Sequence, residues 1–293
     1  ALNLALALLF IGPVDRMAVW LFRMLPDPTP SADPGAPRYL ERAALETASV
    51  ALVNAAREAL RMADMVEAML KGALEVFRNE NRRRAREISQ MDHTLDLLGV
   101  AVHRYLAEIS GEELNEEDSL RSQEIFTFTI NFDYIGDIVA VMMAEFATRK
   151  IKRGQPFAPE ELEEVAGMHA MVLESLNLGL AVFMRGDEQT ARQLMERKKL
   201  VWQAEKRAAE RYFQRLRETD AQNGKADDSY LRVLRDLKRI HSFIAALAYP
   251  ILDRAGQLQE RLVEMTTPEL RESEVSAPAA TEEKSNPLTV NPN

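Results

Sequence analysis

The sequence predicts an all-α protein built of two tandem three-helix bundles, with six long antiparallel helices. Composition is the first reason: the 293 residues contain 12 Gly and 13 Pro, fewer than the usual share of about 12% for these two helix breakers together. The second is an apolar period of about 3.6 residues in six stretches between positions 43 and 262. The third is an internal repeat with an offset of 106 residues.

The six predicted helices are bounded by turn and capping residues. Gly111 precedes Asn115, Gly154 lies near two prolines, and Gly186 precedes Asp187, and these residue types end and begin helices. Helices of more than 25 residues are about 40 Å long at 1.5 Å per residue, so short loops make them antiparallel neighbours. We place the helices at 43–79, 82–110, 115–152, 159–185, 188–219 and 226–262.

The repeat divides this helical region in two. Nine residues recur without a gap 106 positions later: Met62, Met65, Val66, Leu70, Leu74, Val76, Phe77, Ala85 and Arg86 match Met168, Met171, Val172, Leu176, Leu180, Val182, Phe183, Ala191 and Arg192. Most are apolar at helical spacing, so they indicate a shared core. We therefore predict a first bundle at 43–153 and a second at 154–265.

The chain begins with an apolar stretch. Residues 1–11 contain one polar residue, Asn3, but a membrane-spanning helix needs about 20 residues. Trp20 and Arg23 follow, as aromatic and basic residues do on the cytoplasmic side of a membrane helix. We interpret residues 1–25 as the end of a truncated transmembrane or interfacial helix. A buried core helix and a mis-cut signal peptide are the alternatives.

Two segments have compositions that do not favour helices. Residues 26–42 include five prolines, which favour extended backbone, and we predict a Pro-rich linker there. Residues 266–293 combine prolines with Ser, Thr, Glu and Asn. This segment has too little apolar area to offset the entropy of ordering, so we predict a disordered tail.

Charge and motif content exclude several functions. With 37 Lys+Arg against 46 Asp+Glu, the net charge is −9, which argues against a nucleic-acid partner. The absence of cysteine excludes disulfides, thiolate metal sites and cysteine nucleophiles. No phosphate-binding glycine loop, dinucleotide fingerprint, nucleophile elbow or zinc-hydrolase HExxH motif occurs. We therefore do not expect an enzyme.

Two pairs of aspartates carry the strongest chemical signal. Asp92 and Asp96 share one face of the second predicted helix, and Asp133 and Asp137 share one face of the third. Each pair interrupts an apolar surrounding, where carboxylates repel each other and are costly to desolvate. A bound cation would relieve that repulsion. We predict a metal site formed by these four residues.

The metal and its other ligands follow from the same chemistry. Oxygen ligands without cysteine suit Mg²⁺, Ca²⁺, Mn²⁺ or Fe³⁺, a divalent or ferric ion. Glu145 and His93 are further candidate ligands, and Asp64 or Glu67 could contribute from the first helix. The alternative is that the aspartates lie on a solvated face or pair with arginines.

The second repeat does not preserve the acidic pattern. The positions of Asp92 and Asp96 hold Lys198 and Trp202 there, and those of Asp133 and Asp137 hold a lysine and a serine at an offset of 105. We expect any cation site to be confined to the first bundle.

Residues 132–137, Phe-Asp-Tyr-Ile-Gly-Asp, followed by Ala144-Glu145, resemble the leucine-glutamate-arginine-isoleucine-glycine-aspartate signature of the PhoU family. Asp133 replaces the glutamate of that signature and Tyr134 replaces its arginine. The resemblance implies two tandem three-helix bundles, metal clusters on acidic motifs in some members, and regulation of phosphate uptake and signalling.

Together with the apolar N-terminal segment, this region is similar to the C-terminal part of bacterial sodium-dependent phosphate cotransporters. The similarity implies a cytoplasmic regulatory domain at the bacterial inner membrane, with the transmembrane transporter domain of the same protein as partner. A second copy of the chain is another candidate partner.

Two other functions stay open at the sequence level. A soluble metal-binding bundle of ferritin type needs Glu-x-x-His pairs on facing helices, and the sequence contains none. A non-catalytic adaptor or dimerisation bundle is the other. The arginines at positions 82–84 could face anionic lipid or phosphate, or simply solvent.

Overall fold

The computed structural model describes residues 35–109, 114–152, 154, 156–219 and 228–256. Six long helices and no strand occur in these ranges, which confirms the predicted all-α class. They are α1 (Ala48–Asn79), α2 (Arg82–Glu108), α3 (Glu116–Phe146), α4 (Pro159–Arg185), α5 (Glu188–Thr219) and α6 (Ser229–Ala245). The predicted membrane segment at 1–25 and the predicted tail at 266–293 lie outside the described residues.

The helices pack in two groups of three. α1, α2 and α3 contact one another, and so do α4, α5 and α6. The groups join where α3 packs against α6 and α1 against α4, and the buried apolar side chains form one continuous core across both. α2 and α5 therefore occupy the outer positions, each exposing one face to solvent.

Local signals fix most helix ends where the sequence places them. The Asn81 side chain caps α2 by accepting from the backbone N–H groups of Arg83 and Arg84. Asn115 caps α3 in the same way, Pro159 lies in the first turn of α4, and Gly186 ends α4 with a left-handed φ of 63°. These are positions where such residues satisfy terminal backbone groups or adopt the required backbone angle at low cost.

Two predicted boundaries differ from the structure. The last helix was expected at 226–262, but α6 ends at Ala245, followed by a 3₁₀ turn (Ala246–Ala248) and a short helix, α7 (Tyr249–Arg254). Pro250 has no N–H to continue the helical bonding, which explains the interruption. The first helix begins at Ala48 rather than at 43, because Thr47 is extended and forms its N-terminal cap position.

Two helices are long and apolar enough to cross a membrane by length and composition alone. The first, Glu116–Ile151, is α3 together with the π-helical turn that continues it (Ala147–Ile151), and the second, Pro159–Arg185, is α4. In their most apolar windows, 61% and 44% of the residues are buried inside the protein. Both helices contribute to the core between the two groups, and burial there accounts for much of their apolar character.

Part of the predicted linker at 26–42 packs firmly on the first bundle. We call residues 36–41 the strap. The side chain of Glu58 on α1 is fully buried, and its Oε2 accepts hydrogen bonds from the backbone N–H groups of Arg38 at 2.7 Å and Tyr39 at 2.9 Å. Bonds from backbone N–H to a carboxylate are among the stronger ones in proteins.

Further contacts hold both ends of the strap. Arg61 donates to Glu58 Oε1 at 2.6 Å and to the carbonyl oxygen of Ala36 at 2.9 Å. The hydroxyl of Tyr105, near the end of α2, donates to the carbonyl oxygen of Glu41 at 2.9 Å. The strap is therefore tied to α1 and α2, and this part of the predicted linker is not a free tether.

We expect Glu58→Gln to loosen the strap without unfolding the bundles. Trypsin should then cleave after Arg38 and Arg42 at least about tenfold faster, because a charge-assisted hydrogen bond contributes about 1.5–3 kcal/mol. Cleavage at each site can be timed by mass spectrometry. Glu75→Gln is the matched control, since Glu75 lies on the same helix but has a side chain 65% exposed. Equal rates in both variants would contradict the role of Glu58.

Candidate metal centre

The four predicted aspartates meet where α2 and α3 run side by side. One carboxylate oxygen from each of Asp92, Asp96 and Asp137 lies within 4.8 Å of the others. Asp133 lies beside these three, close enough for Asp96, Asp137 and Asp92 to act electrostatically on its carboxyl group. The helical spacing put each pair on one face, and the antiparallel packing of α2 against α3 brings the two faces together. We call these four residues the aspartate cluster.

Gly136 permits this close approach of the helices, whereas a Cβ atom at Gly99 would make only ordinary contacts. A Cβ atom at Gly136 would overlap the side chain of Leu95 and lie 2.8 Å from Asp92 Oδ1, while one at Gly99 would lie 3.7 Å from Asp133 Oδ1. Residues larger than glycine at position 136 would thus push α2 away from α3. Gly136 belongs to the sequence motif already singled out, but its steric role becomes visible only in the packed structure.

The cluster contains buried oxygens without partners. Asp92 Oδ1 and Asp133 Oδ1 are shielded from solvent and have no hydrogen-bond partner in the described part of the chain. Leaving a carboxylate oxygen buried and unpaired is costly. A cation bound beside these oxygens would remove that cost, so the residues present fit a metal ion.

The protonation of the cluster reflects the same crowding. Burial raises the pKa of Asp92 to about 6, and repulsion from Asp96 and Asp137 adds to the rise. Burial also raises the pKa of Asp133 to about 6, and repulsion from Asp96 and a hydrogen bond that protonated Asp133 donates to Asp96 add to the rise. A hydrogen bond between two carboxyl groups requires a proton on one of them. Near neutral pH the cluster is therefore poised to exchange protons for a cation.

The ligand set and its access favour a hard cation. All four groups offer carboxylate oxygens, which Mg²⁺, Ca²⁺, Mn²⁺ and Fe³⁺ prefer. Asp96 and Asp137 are exposed while Asp92 is half-buried, so an ion can reach the cluster from solvent. The cluster contains no nucleophile of the serine or cysteine type.

The other candidate ligands lie elsewhere. Glu145 is two turns beyond Asp137 and pairs with Arg232 of α6 at 3.3 Å, so the structure does not bring it to the cluster. Glu67 pairs with Lys71 on α1 at 2.9 Å, and Asp64 is exposed on the same helix.

His93 is the remaining candidate. Its side chain is exposed, and its charge acts to lower the pKa of the adjacent Asp92. The structure therefore supports an electrostatic influence of His93 on the cluster. Its ligand atoms are not among those that converge with the aspartates.

The second group of helices has cations where the first has acids. Lys198 donates to the hydroxyl of Tyr249 at 2.8 Å, and Lys238 pairs with Glu205 at 2.8 Å. In the described ranges, the aspartates of the first group are the one set of three or more acidic or histidine side chains whose ligand atoms converge.

Comparison with known proteins shows what the chain resembles. The PhoU domain family matches residues 59–145 and 165–249, one match on each helical group. The "Putative inorganic phosphate export protein YjbB" of Escherichia coli K12 is 30% identical over 259 residues, which cover 88% of this chain and 48% of that protein. The protein of the same name from Salmonella typhimurium gives the same identity and coverage. The chain spans about half the length of these curated relatives.

A solved structure has a similar fold. The crystal structure of PhoU from Pseudomonas aeruginosa matches with a TM-score of 0.63 at 18% identity, covering 70% of this chain and 96% of that one. Similarity at this level of identity concerns the fold alone.

We expect Gly136→Ala to destabilise the protein by about 1–3 kcal/mol, because the added methyl group must displace Leu95 or separate α2 from α3. The change can be measured by urea denaturation. Gly167→Ala is the matched control: Gly167 is an exposed helical glycine on α4, and a Cβ there meets nothing within 4 Å. The control should raise stability by about 0.5–1 kcal/mol. A Gly136 variant as stable as the control would refute the steric role.

Proposed function

The chain belongs to the PhoU domain family, and from this premise we propose that it is the cytoplasmic regulatory domain of a bacterial phosphate transporter. In this proposal the domain contributes to phosphate homeostasis at the inner membrane, and its partner is the transmembrane part of the same protein. The names of the YjbB relatives support a link to phosphate transport. The apolar stretch at residues 1–11 supports a membrane attachment.

The observation that carries the regulatory role is the aspartate cluster. We propose that Asp92, Asp96, Asp133 and Asp137 hold a divalent or ferric cation. Without a cation, the four carboxyl groups repel one another across the seam between α2 and α3; with one, they hold the two helices together. A ligand changes the balance between two states only by binding one of them better. The aspartate cluster can bind a cation better in one state than in the other, because the distances between its carboxylates depend on the spacing of α2 and α3.

The proposal also concerns the ion that drives phosphate transport and the direction in which phosphate moves. Sodium coupling follows from the resemblance to sodium-dependent phosphate cotransporters, and the relatives' name speaks of export. We therefore propose sodium-coupled phosphate movement across the inner membrane, with net export as the direction to test first. The domain acts by binding and conformational coupling, and we assign it no catalytic step.

The cation assignment predicts a loss of binding when the cluster is neutralised. We expect Asp92→Asn/Asp137→Asn to abolish retention of Mg²⁺ or Mn²⁺ in equilibrium dialysis followed by elemental analysis. Asp253→Asn serves as the matched control, since Asp253 is an exposed aspartate on α7, and it should bind as the wild type does. No bound metal in any of the proteins would remove the cation site and leave the transport assignment untouched.

Cation affinity should also depend on pH. The pKa values of Asp92 and Asp133 are raised to about 6, so both groups take up protons as the pH falls through that value. Protons compete with the cation for the same oxygens, and the dissociation constant for Mg²⁺ should rise steeply below about pH 6. Titrations between about pH 5 and about pH 8 would test this. A flat profile would contradict ligation by these two groups.

The transporter assignment can be tested in cells that carry the whole protein. Phosphate efflux and uptake are measured, with and without sodium, for the whole protein and for one cut before Arg38. We expect the cut protein to retain transport but to lose its response to external phosphate. Identical transport and identical response would exclude the regulatory role. If the whole protein moves no phosphate, the transporter assignment itself fails, whatever the cation results.

A further inference from the structure

The three arginines at positions 82–84 do not act alike in the structure. Arg83 donates to Glu87 at 3.0 Å, and Arg84 donates to the same carboxylate at 3.4 Å. These two bonds lower the pKa of Glu87, as expected for an acid held by two cations. Among the residues that the structure describes, no acidic side chain pairs with Arg82 in this way. Arg82 lies, with Arg86 one turn later, on the side of α2 that faces the end of α3.

Arg82 and Arg86 line a groove of about 520 Å³ between the start of α2 and the end of α3. Gln90 and Thr148 add polar groups, while Met143 and Ala147 contribute apolar surface. Within the described ranges neither arginine has an acidic partner; the Nε of Arg86 donates to the carbonyl oxygen of Arg82 at 3.4 Å. Like charges at this spacing on one helix destabilise it slightly. The groove thus has room for a group that would neutralise them.

In the second repeat, the positions equivalent to Arg82 and Arg86 carry opposite charges that cancel. At the offset of 106, Arg82 and Arg86 correspond to Glu188 and Arg192, which form an ion pair in the first turns of α5. The first repeat keeps the arginine and replaces its acidic partner with a second cation. An oxyanion in the groove would supply to the first repeat the counter-charge that Glu188 supplies in the second.

Guanidinium groups are suited to bind oxyanions. Each offers several N–H donors in a planar fork that matches the oxygens of a phosphate group. At the helix terminus, the backbone N–H groups of Arg83 and Arg84 are already taken, because both donate to the Asn81 side chain. Side chains, and not main-chain amides, would therefore make the contacts.

We propose that this groove is a binding site for a phosphate group, held by Arg82 and Arg86 with help from Gln90. The choice of phosphate over other oxyanions rests on the proposed function, whereas the choice of an oxyanion rests on the two arginines alone. The first residue of the aspartate cluster, Asp92, follows Arg86 by six residues on α2, which is about 9 Å along the helix axis. A cation held there would offset the negative charge near the groove, so the two sites would favour occupation of each other.

The test is isothermal titration with inorganic phosphate in a buffer containing Mg²⁺, using the 293-residue chain. We expect Arg82→Gln/Arg86→Gln to weaken phosphate binding by about tenfold to a hundredfold. The single change Arg83→Gln is the matched control, because it removes a neighbouring charge that Glu87 already neutralises, and it should leave the affinity within about twofold.

A second variant guards against a loss of folding. Arg82→Glu rebuilds the ion pair that Glu188 and Arg192 form in the second repeat, so the helix should keep its stability while phosphate binding disappears. Circular dichroism and a thermal melt check the fold. The proposal would be overturned if the wild-type protein bound neither free phosphate, nor free sulfate, nor a lipid phosphate headgroup. Binding that Arg82→Glu leaves unchanged would do the same.

Two further measurements identify the anion and its source. Equal affinity for sulfate and phosphate would keep the oxyanion site but refute its phosphate preference, independently of the transport experiment. Sedimentation with phosphatidylglycerol vesicles, compared with phosphatidylcholine vesicles, tests a lipid headgroup. The site would be assigned to a lipid phosphate if the wild-type protein sedimented with the anionic vesicles, Arg82→Glu abolished this sedimentation, and free phosphate did not bind.

Discussion

Four carboxylate groups at the seam between α2 and α3 set the main constraint on this structure. Their mutual repulsion and partial burial oppose the packing of the two helices, as the raised pKa values of Asp92 and Asp133 show. The apolar core behind the seam holds the helices together against this repulsion, and Gly136 lets them approach closely. The stability of the first bundle is thus linked to the protons or cations that the cluster binds.

The two repeats use one core design for different chemistry. Shared apolar positions build the same arrangement of three helices, but lysines in the second group find a tyrosine hydroxyl and a glutamate as partners. At the sequence offset of 105, His241 corresponds to Gly136 of the first repeat. His241 is buried, and burial lowers its pKa to about 4. A neutral buried imidazole in place of a glycine fits a seam that has no need to bring carboxylates together.

The strap connects the first bundle to the chain that precedes it. Glu58 and Arg61 hold it on α1, and Tyr105 links it to α2, the helix that carries Asp92 and Asp96. Because α2 is one continuous helix from Asp92 to Tyr105, a shift of α2 at the aspartate cluster would also move its contact with the strap. In the proposed function this contact would pass the state of the cluster to the membrane part of the protein.

Much of this architecture was readable from the chain itself. Periodicity, capping residues and the repeat predicted six helices, and the spacing of Asp92, Asp96, Asp133 and Asp137 predicted that each pair shares a helix face. Such patterns are local, since they depend on residues within one or two turns of each other. The same local patterns did not predict the interruption after Ala245. The apolar period continues through this region, although Pro250 removes a backbone N–H from it.

The partners of individual charged side chains were decided by the tertiary structure. Glu145 has the spacing of a fifth ligand but faces Arg232. Of three consecutive arginines, Arg83 and Arg84 pair with Glu87, while Arg82 has no acidic partner in the part of the chain that the structure describes. The strap became ordered because a buried Glu58 receives it. Helical spacing determines which face a residue occupies, whereas the neighbour that meets that face comes from a distant part of the chain and depends on how the helices pack.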